Sequence, residues 1–376
     1  MSPSLRIGTI GFCLIALCYG FARFAFGLFL PQIDAELNLG PSLSGMISGG
    51  SFAGYCIAII AAAALTERFG ARTVAFAAAT LAAIGMAGIA LAPSPAILAF
   101  AVIVAGSSTG LASPPMAAAV AAAVRADRQN ATNTIINAGT SAGVALSGPI
   151  ALAVNGQWRV TFAVFAGMAV ILAIGAARAL PSSRGSHSSV GLPPITRPLG
   201  FLIIATFLTG MASTAIWSFG GQLVSQILGW GPTGTAILWS CIGAGGILGA
   251  WAGSLVSCFG LQRIHLLFCG VVAATILAVG SGVAIAGLVL AGGALFGAAY
   301  VMLTGVYLIW GVRALPDRPA TGLTIGFLTL AIGQTVGAPI FGLLMSGPGM
   351  GTAILTFAVL ALLAGVVRTG FGHDRA

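Results

Sequence analysis

Lysine is absent from this chain, and its six acidic residues are outnumbered by fifteen arginines. Charged side chains form 6% of the 376 residues, against about a quarter in an ordinary soluble domain. So few charges exclude a domain whose whole surface faces water. Clusters that carry metal or redox chemistry are missing as well. Cys13, Cys18, Cys56, Cys241, Cys258 and Cys269 are scattered without C-x-x-C spacing and read as small buried apolar residues. His187, His265 and His373 fall in or beside loops of one face and lie too far apart in sequence to suggest a local metal-ligand cluster. No acid–base pair or nucleophile triad stands out, so the sequence implies neither an enzyme nor a cofactor. Glycine-rich stretches such as 243–246 lie inside apolar runs rather than between a strand and a helix, which makes them packing surfaces and not phosphate loops.

What the chain has is apolar length. Hydrophobic residues make up 58% of it and the mean hydropathy is +1.08. Twelve runs are long enough to cross hydrocarbon as helices, which satisfy their own backbone groups. They fall near 7–30, 42–64, 73–92, 97–120, 131–154, 159–180, 199–222, 233–256, 264–281, 284–311, 321–346 and 350–369. Pro93 and Pro95 mark the turn after the third run, Gly280 and Gly282 the turn after the ninth. The first run could imitate a secretory signal because Arg6 precedes it. It continues past Arg23 to Leu30, however, with no small-x-small cleavage site, and reads as the first transmembrane helix. The polar segment 181–198 divides the chain into 1–180 and 199–376, six spans each. The expected fold class is all-α integral membrane, with twelve transmembrane helices.

The arginines sort by loop. Arg6, Arg68, Arg72, Arg125, Arg128, Arg178, Arg184, Arg197, Arg263, Arg313, Arg318, Arg368 and Arg375 share one side, while Arg159 alone, with Asp34 and Glu36, occupies the other. The positive-inside rule then puts both termini and the linker in the cytoplasm of a bacterial inner membrane. The same bias accounts for the net charge of +9, so basic character gives no support to nucleic-acid binding.

Shifting the chain by 190 residues superimposes its halves. Asp127-Arg128, Gly143 and Pro149-Ile150 fall on Asp317-Arg318, Gly333 and Pro339-Ile340; Phe69-Gly70 falls on Phe259-Gly260, and Gly20 and Ala22 on Gly210 and Ala212. Two parallel six-helix repeats suit a carrier whose halves rock about a site near the bilayer midplane.

Between the second and third runs stand Ala63, Leu65, Glu67, Arg68, Phe69, Gly70 and Arg72. This resembles the signature of the major facilitator superfamily, with Ala for its leading Gly and Glu for its Asp. The second-half copy keeps Gly253, Gly260 and Arg263 but has Ser257 and Cys258 where the acid and base would be. The resemblance implies the major facilitator fold, with a gate formed by Glu67, Arg68, Gly70, Arg72, Arg125, Asp127 and Arg128, and an asymmetric counterpart at Asp317 and Arg318. The bland alternative is that these charges only orient the protein. The string from Tyr19 to Pro31, with Gly20, Arg23, Phe24, Phe26 and Leu30, is similar to that of the YbfB/YjiJ-type branch of permeases. Proton coupling follows from this resemblance alone. Gly139, Gly143, Gly148 and Pro149 in the fifth run resemble the superfamily's antiporter motif imperfectly. Gly143, Gly148, Pro149, Gly333 and Pro339 are expected to permit helix bending or close approach rather than to set transport direction.

Arg23 is the one formally charged residue well inside a span. Insertion scales put the cost of a central arginine at roughly 2.5–3.5 kcal/mol, so it faces a wet cavity or a partner. In an α-helix Tyr19, Gly20 and Gly27 would share its face. It either meets substrate or anchors structure, through helix carbonyls or through Asp34 or Glu36. Its donor fork suits a carboxylate or phosphate, and with no acid in any membrane core a cation site is disfavoured. Substrate-binding candidates are Arg23, Tyr19, Tyr55, Asn137, Gln222, Tyr300 and Gln334; Asn133, Gln226 and Tyr307 are further polar positions, and Trp217, Trp239 and Trp310 are expected to serve packing more than binding. The sequence thus points to a monomeric secondary transporter of a small organic solute, an anion before a cation, with membrane lipid as its other partner. A drug or metabolite exporter is the alternative within transport, and a non-transporting membrane sensor the alternative outside it.

Overall fold

A computed structural model describes residues 2–182, 195–280 and 285–371. Most of the 181–198 linker, with Arg184 and His187, lies outside the described residues, as do Gly282, His373 and Arg375. Twelve apolar helices follow one another: α1 (Pro3–Leu37), α2 (Gly40–Phe69), α3 (Ala71–Leu91), α4 (Pro95–Ala123), α5 (Ala126–Ala153), α6 (Trp158–Ala179), α7 (Arg197–Trp217), α8 (Pro232–Phe259), α9 (Leu261–Gly280), α10 (Ala286–Ala314), α11 (Pro319–Ser346) and α12 (Met350–Val366). No strand occurs among the described residues. The ends are set by local chemistry. Proline stands in the first turn of α1, α2, α4, α7, α8 and α11, where its missing N–H is not needed. Gly70 and Gly260, one repeat apart, both turn at φ +84, a conformation that side chains resist.

Three elements differ from the sequence expectation. Residues Ala16–Phe24 of α1 are π-helical, the wider turn that single spans use rarely and often at functional sites. The span 199–222 ends early, at Trp217, and a separate short helix, Gly220–Leu228, follows it. In α8 the segment Ile247–Trp251 tightens to a 3-10 turn. The π segment also corrects the face assigned to Arg23. Gly20 packs on Gly143 of α5 while Gly27 packs on Trp217 of α7, so the two glycines expected to share one wall with Arg23 meet different neighbours.

The repeat is physical as well as sequential. A Cβ on Gly143 would strike the Ala16 carbonyl of α1, and one on Gly333 the Phe207 carbonyl of α7. Equivalent helix pairs therefore meet backbone to backbone, as packing without a hydrophobic drive in lipid requires. Pro149 and Pro339 sit inside continuous α5 and α11.

The first six helices meet the last six along three seams. Gly45 and Gly49 of α2 contact Ala338, Thr335 and Pro339 of α11; Gly148 of α5 contacts Ala236 and Ser240 of α8; Gly27 of α1 contacts Trp217 of α7. Ser42 and Ser346 share a hydrogen bond of 2.8 Å, and Gln222 donates to Asp34 at 3.1 Å. By helix order all of these lie toward the arginine-poor face. Toward the arginine-rich face the polar stripe of α5 emerges from contact: Ser141 is buried against Gly246, whereas Asn137, Thr134 and Asn130 are exposed.

The lone loop arginine of the arginine-poor face has a structural use. Arg159 donates twice to Glu36, at 2.8 and 2.9 Å, and once to the Ala90 carbonyl, and Trp158 donates to the same carboxylate at 2.8 Å. The group ties the ends of α1, α3 and α6.

Because Gly143 and Gly333 admit no side chain, Gly143→Val and Gly333→Val are each expected to lower the stability of detergent-purified protein by about 1–3 kcal/mol, the usual cost of overpacking. A thermal unfolding midpoint unchanged from wild type in both variants would contradict the backbone contacts.

Candidate functional site

The π segment delivers Arg23 to the junction of the two sets of helices. Its side chain is 6% exposed, and its Nη2 donates to the Gln334 Oε1 of α11 at 2.6 Å. Gln334, fully buried, turns its Nε2 to the Ser213 hydroxyl of α7 (3.2 Å) and the Tyr300 hydroxyl of α10 (3.1 Å). One amide thus joins the charge from the first half to two hydroxyls of the second. The guanidinium also lies over the rings of Tyr55 (4.4 Å), Phe52 (4.8 Å), Phe24 (5.2 Å) and Tyr19 (5.8 Å). Desolvated cation–π contacts are worth about 2 kcal/mol or more, so the rings offset burial cost but supply no opposite formal charge. No carboxylate among the described residues is within ion-pair distance of Arg23.

Of the seven expected binding residues, five converge: Arg23, Tyr19, Tyr55, Tyr300 and Gln334. Tyr19 shares a hydrogen bond of 3.2 Å with Ser113 of α4 and meets Tyr55 edge-on. Gln222 stands apart at the arginine-poor face on Asp34, whose other oxygen accepts from the Gly40 N–H at 2.7 Å. Asn137 is exposed on α5, one turn beyond the seam. Asp34 and Glu36, weighed as partners for Arg23, are instead taken by Gln222 and by Arg159. Gln226 is exposed and Asn133 half-buried.

The structure adds residues that the polar inventory passed over. Beside Arg23 a cavity of about 10 Å³ is lined by Phe26, Ser48, Ser51, Phe52, Trp217 and Ser218. Trp217 stacks on Phe24 with centroids 4.1 Å apart and meets Tyr300 edge-on. A signal for the serines existed: Ser44, Ser48, Ser51 and Tyr55 form a helical-period polar stripe through the apolar α2. Ser213 carries another, being the residue one repeat from Arg23. Trp239 is wholly buried, and Trp310 donates to the Pro198 carbonyl at 3.0 Å.

His265, near the start of α9 as expected, is fully buried: Tyr307 approaches its Nε2 at 3.3 Å and Trp310 meets its ring. The apolar register of α9 turns this position inward. Tyr307 belongs to that cluster, sharing its hydroxyl with Thr209, and not to the Arg23 group.

The residues expected to gate lie at the arginine-rich ends of helices. Glu67 and Arg68 close α2, Gly70 turns into α3, Arg125, Asp127 and Arg128 join α4 to α5, and Asp317 and Arg318 precede α11. Arg72 donates to the Leu180 carbonyl at 2.6 Å, tying α3 to α6. Arg125 and Asp127 pair at 3.2 Å with side chains 82% and 59% exposed, a contact worth roughly 0–1 kcal/mol and too weak to latch anything alone.

A bundle of membrane-crossing helices with one buried charge among the described residues and a polar centre where its halves meet is the architecture of a carrier. The chain belongs to the Major Facilitator Superfamily, whose family model matches residues 12–327. No curated protein sequence matches it. Solved structures similar to it include a point mutant of the nucleoside transporter NupG, with 12% identity over 97% of this chain and 98% of that one and a TM-score of 0.80. The inward-open xylose transporter XylE from E. coli gives 16% identity over 96% and 94%, TM-score 0.76. A bacterial homolog of the human lysosomal transporter Spinster, inward-facing and unoccupied, gives 14% over 97% and 94%, TM-score 0.71. At identities this low the likeness shows the shared fold alone.

If Gln334 and Arg23 satisfy each other, their substitutions must couple. Gln334→Leu and Arg23→Leu are each expected to cost about 1–3 kcal/mol by orphaning the partner, and the double variant less than their sum. Additive losses in unfolding midpoints would show that the contact carries no energy.

Proposed function

We propose that this protein is a secondary active transporter that moves a small organic anion across the bacterial inner membrane by alternating access of two bundles, residues 1–180 and 199–376. The observation that carries it is Arg23, a buried guanidinium at the meeting of the halves with no carboxylate partner among the described residues. An uncompensated charge there attracts an anion and repels a cation. With both termini cytoplasmic, as the arginine bias favours, the seams at the arginine-poor face close the outside, and the exposed stripe Asn130, Thr134 and Asn137 lines an inward opening. This conformation is then inward-facing. Glu67, Arg68, Arg72, Arg125, Asp127, Arg128, Asp317 and Arg318 would close that opening in the opposite state.

Membership in the YbfB/YjiJ-type branch and proton coupling belong to the same proposal. The coupling is supported by the string around Arg23 and by a structural neighbour that is a D-xylose–proton symporter. With no acid beside the site, the anion itself can carry the proton.

In proteoliposomes tested with labelled small carboxylates, phosphate, amines and sugars, an anion is expected to be transported, and Arg23→Gln to slow its flux by at least about tenfold through loss of a charge-assisted contact. Transport of amines or sugars instead, or full anion flux through a folded Arg23→Gln, would refute the anion reading. In a background without native cysteines, Asn137→Cys should react with an impermeant thiol reagent from the arginine-rich side only. Labelling from the other side would reverse the assigned orientation.

A further inference from the structure

Beside the Arg23–Gln334 contact five buried polar atoms have no hydrogen-bond partner among the described residues: Arg23 Nε, the Ser48 and Ser51 hydroxyls, Trp217 Nε1 and the Ser218 hydroxyl. Their residues line one cavity, with room for about one water molecule at most, and they come from both halves of the chain. Unpaired buried donors are costly, and five on residues that line one cavity call for a partner rich in acceptors. The guanidinium and the indole can only donate, and the hydroxyls are free to do so.

The same site limits the charge and shape of that partner. Arg23 is its only formal charge, so a second anionic group would be buried without a counter-ion. Phe26 and Phe52 wall the cavity, and Phe24 and Trp217 already stack at 4.1 Å. A planar apolar body packs between such rings better than a puckered one.

We propose that the substrate is a flat, singly charged carboxylate, and that its carboxylate takes the position at Arg23 that the Gln334 amide oxygen holds in this structure. This rests on the anion reading above. The Gln334 oxygen stands 2.6 Å from Nη2, a position a carboxylate oxygen could take at its usual separation of about 2.7–2.9 Å, and a charged acceptor outcompetes a neutral one there. Displaced Gln334 keeps Ser213 and Tyr300 through its Nε2, so α11 stays with α7 and α10 while α1 is released. Substrate binding thereby cuts the tie between the halves that the site itself provides.

The test is calorimetric and thermal-shift titration of the detergent-purified full chain with benzoate, benzamide, cyclohexanecarboxylate, terephthalate and inorganic phosphate. Wild type, Arg23→Gln, Arg23→Lys and Gln334→Glu are compared. Benzoate is expected to bind at least about tenfold more tightly than each other probe, and to lose at least about tenfold in affinity in both Arg23 variants. Gln334→Glu, which sets its own carboxylate on Arg23, should raise the unfolding midpoint without ligand and stop responding to benzoate. Equal affinity for benzoate and terephthalate, phosphate or cyclohexanecarboxylate, lost on Arg23→Gln, overturns the flat monocarboxylate and leaves the anion reading intact. Benzamide binding as well as benzoate, no acid binding at all, or benzoate affinity unchanged in Arg23→Gln overturns both. Wild-type benzoate affinity in Gln334→Glu overturns the placeholder role of Gln334, and if Arg23→Gln does not fold, Arg23→Lys decides in its place.

Discussion

A guanidinium held away from water must be solvated by the protein, and around Arg23 that requirement organises a whole layer of the molecule. A central arginine costs at least about 2.5–3.5 kcal/mol in the membrane, and no acid among the described residues pairs with it. The protein answers with one amide oxygen and four ring faces. Because the amide sits on α11 and the charge on α1, solvating the charge also links the halves. The π-helical stretch ending at Phe24 belongs to the same arrangement, since it gives Gly20 to α5 and Gly27 to α7 while leaving Arg23 at the junction.

The repeat supplies a symmetric scaffold and an asymmetric centre. Gly143 and Gly333 do equivalent work against α1 and α7, and Gly70 and Gly260 make the same turn. At the centre the correspondence breaks. The repeat partner of Arg23 is Ser213, that of Gln334 is Val144 and that of Tyr300 is Gly110. One half brings the charge, and the other brings hydroxyls and an amide that orient toward it. Such a division suits a carrier, because the contacts a solute replaces are those that hold the halves together.

Much of this could be read from the residues alone. Twelve spans and the burial of Arg23 followed from hydropathy and charge, and the family match and structural neighbours agree with the fold. Tyr19, Tyr55, Tyr300 and Gln334 were recognisable as polar groups in apolar helices. Gln222 looked equivalent to Gln334 but belongs to the arginine-poor seam, because it lies past the break after Trp217, on the short helix Gly220–Leu228, where it meets Asp34. Ser48, Ser51 and Ser218 were overlooked because a serine inside a span ordinarily bonds back to its own helix, as Ser108 and Ser147 do. The burial of His265 was not legible either, since the face of a residue near a helix start is fixed only by how the helix packs.

Sequence by itself determined the quantities that depend on composition along the chain: the number of apolar spans, the sorting of arginines into alternate loops, the duplication and the single charge within a span. These are one-dimensional properties, set by what lipid and water accept from each segment. Tertiary structure decided which residue solvates Arg23, where the halves touch and which hydroxyls remain unpaired. Those outcomes depend on the rotation of each helix about its axis, and one π-helical stretch in α1 is enough to change that rotation for every residue beyond it.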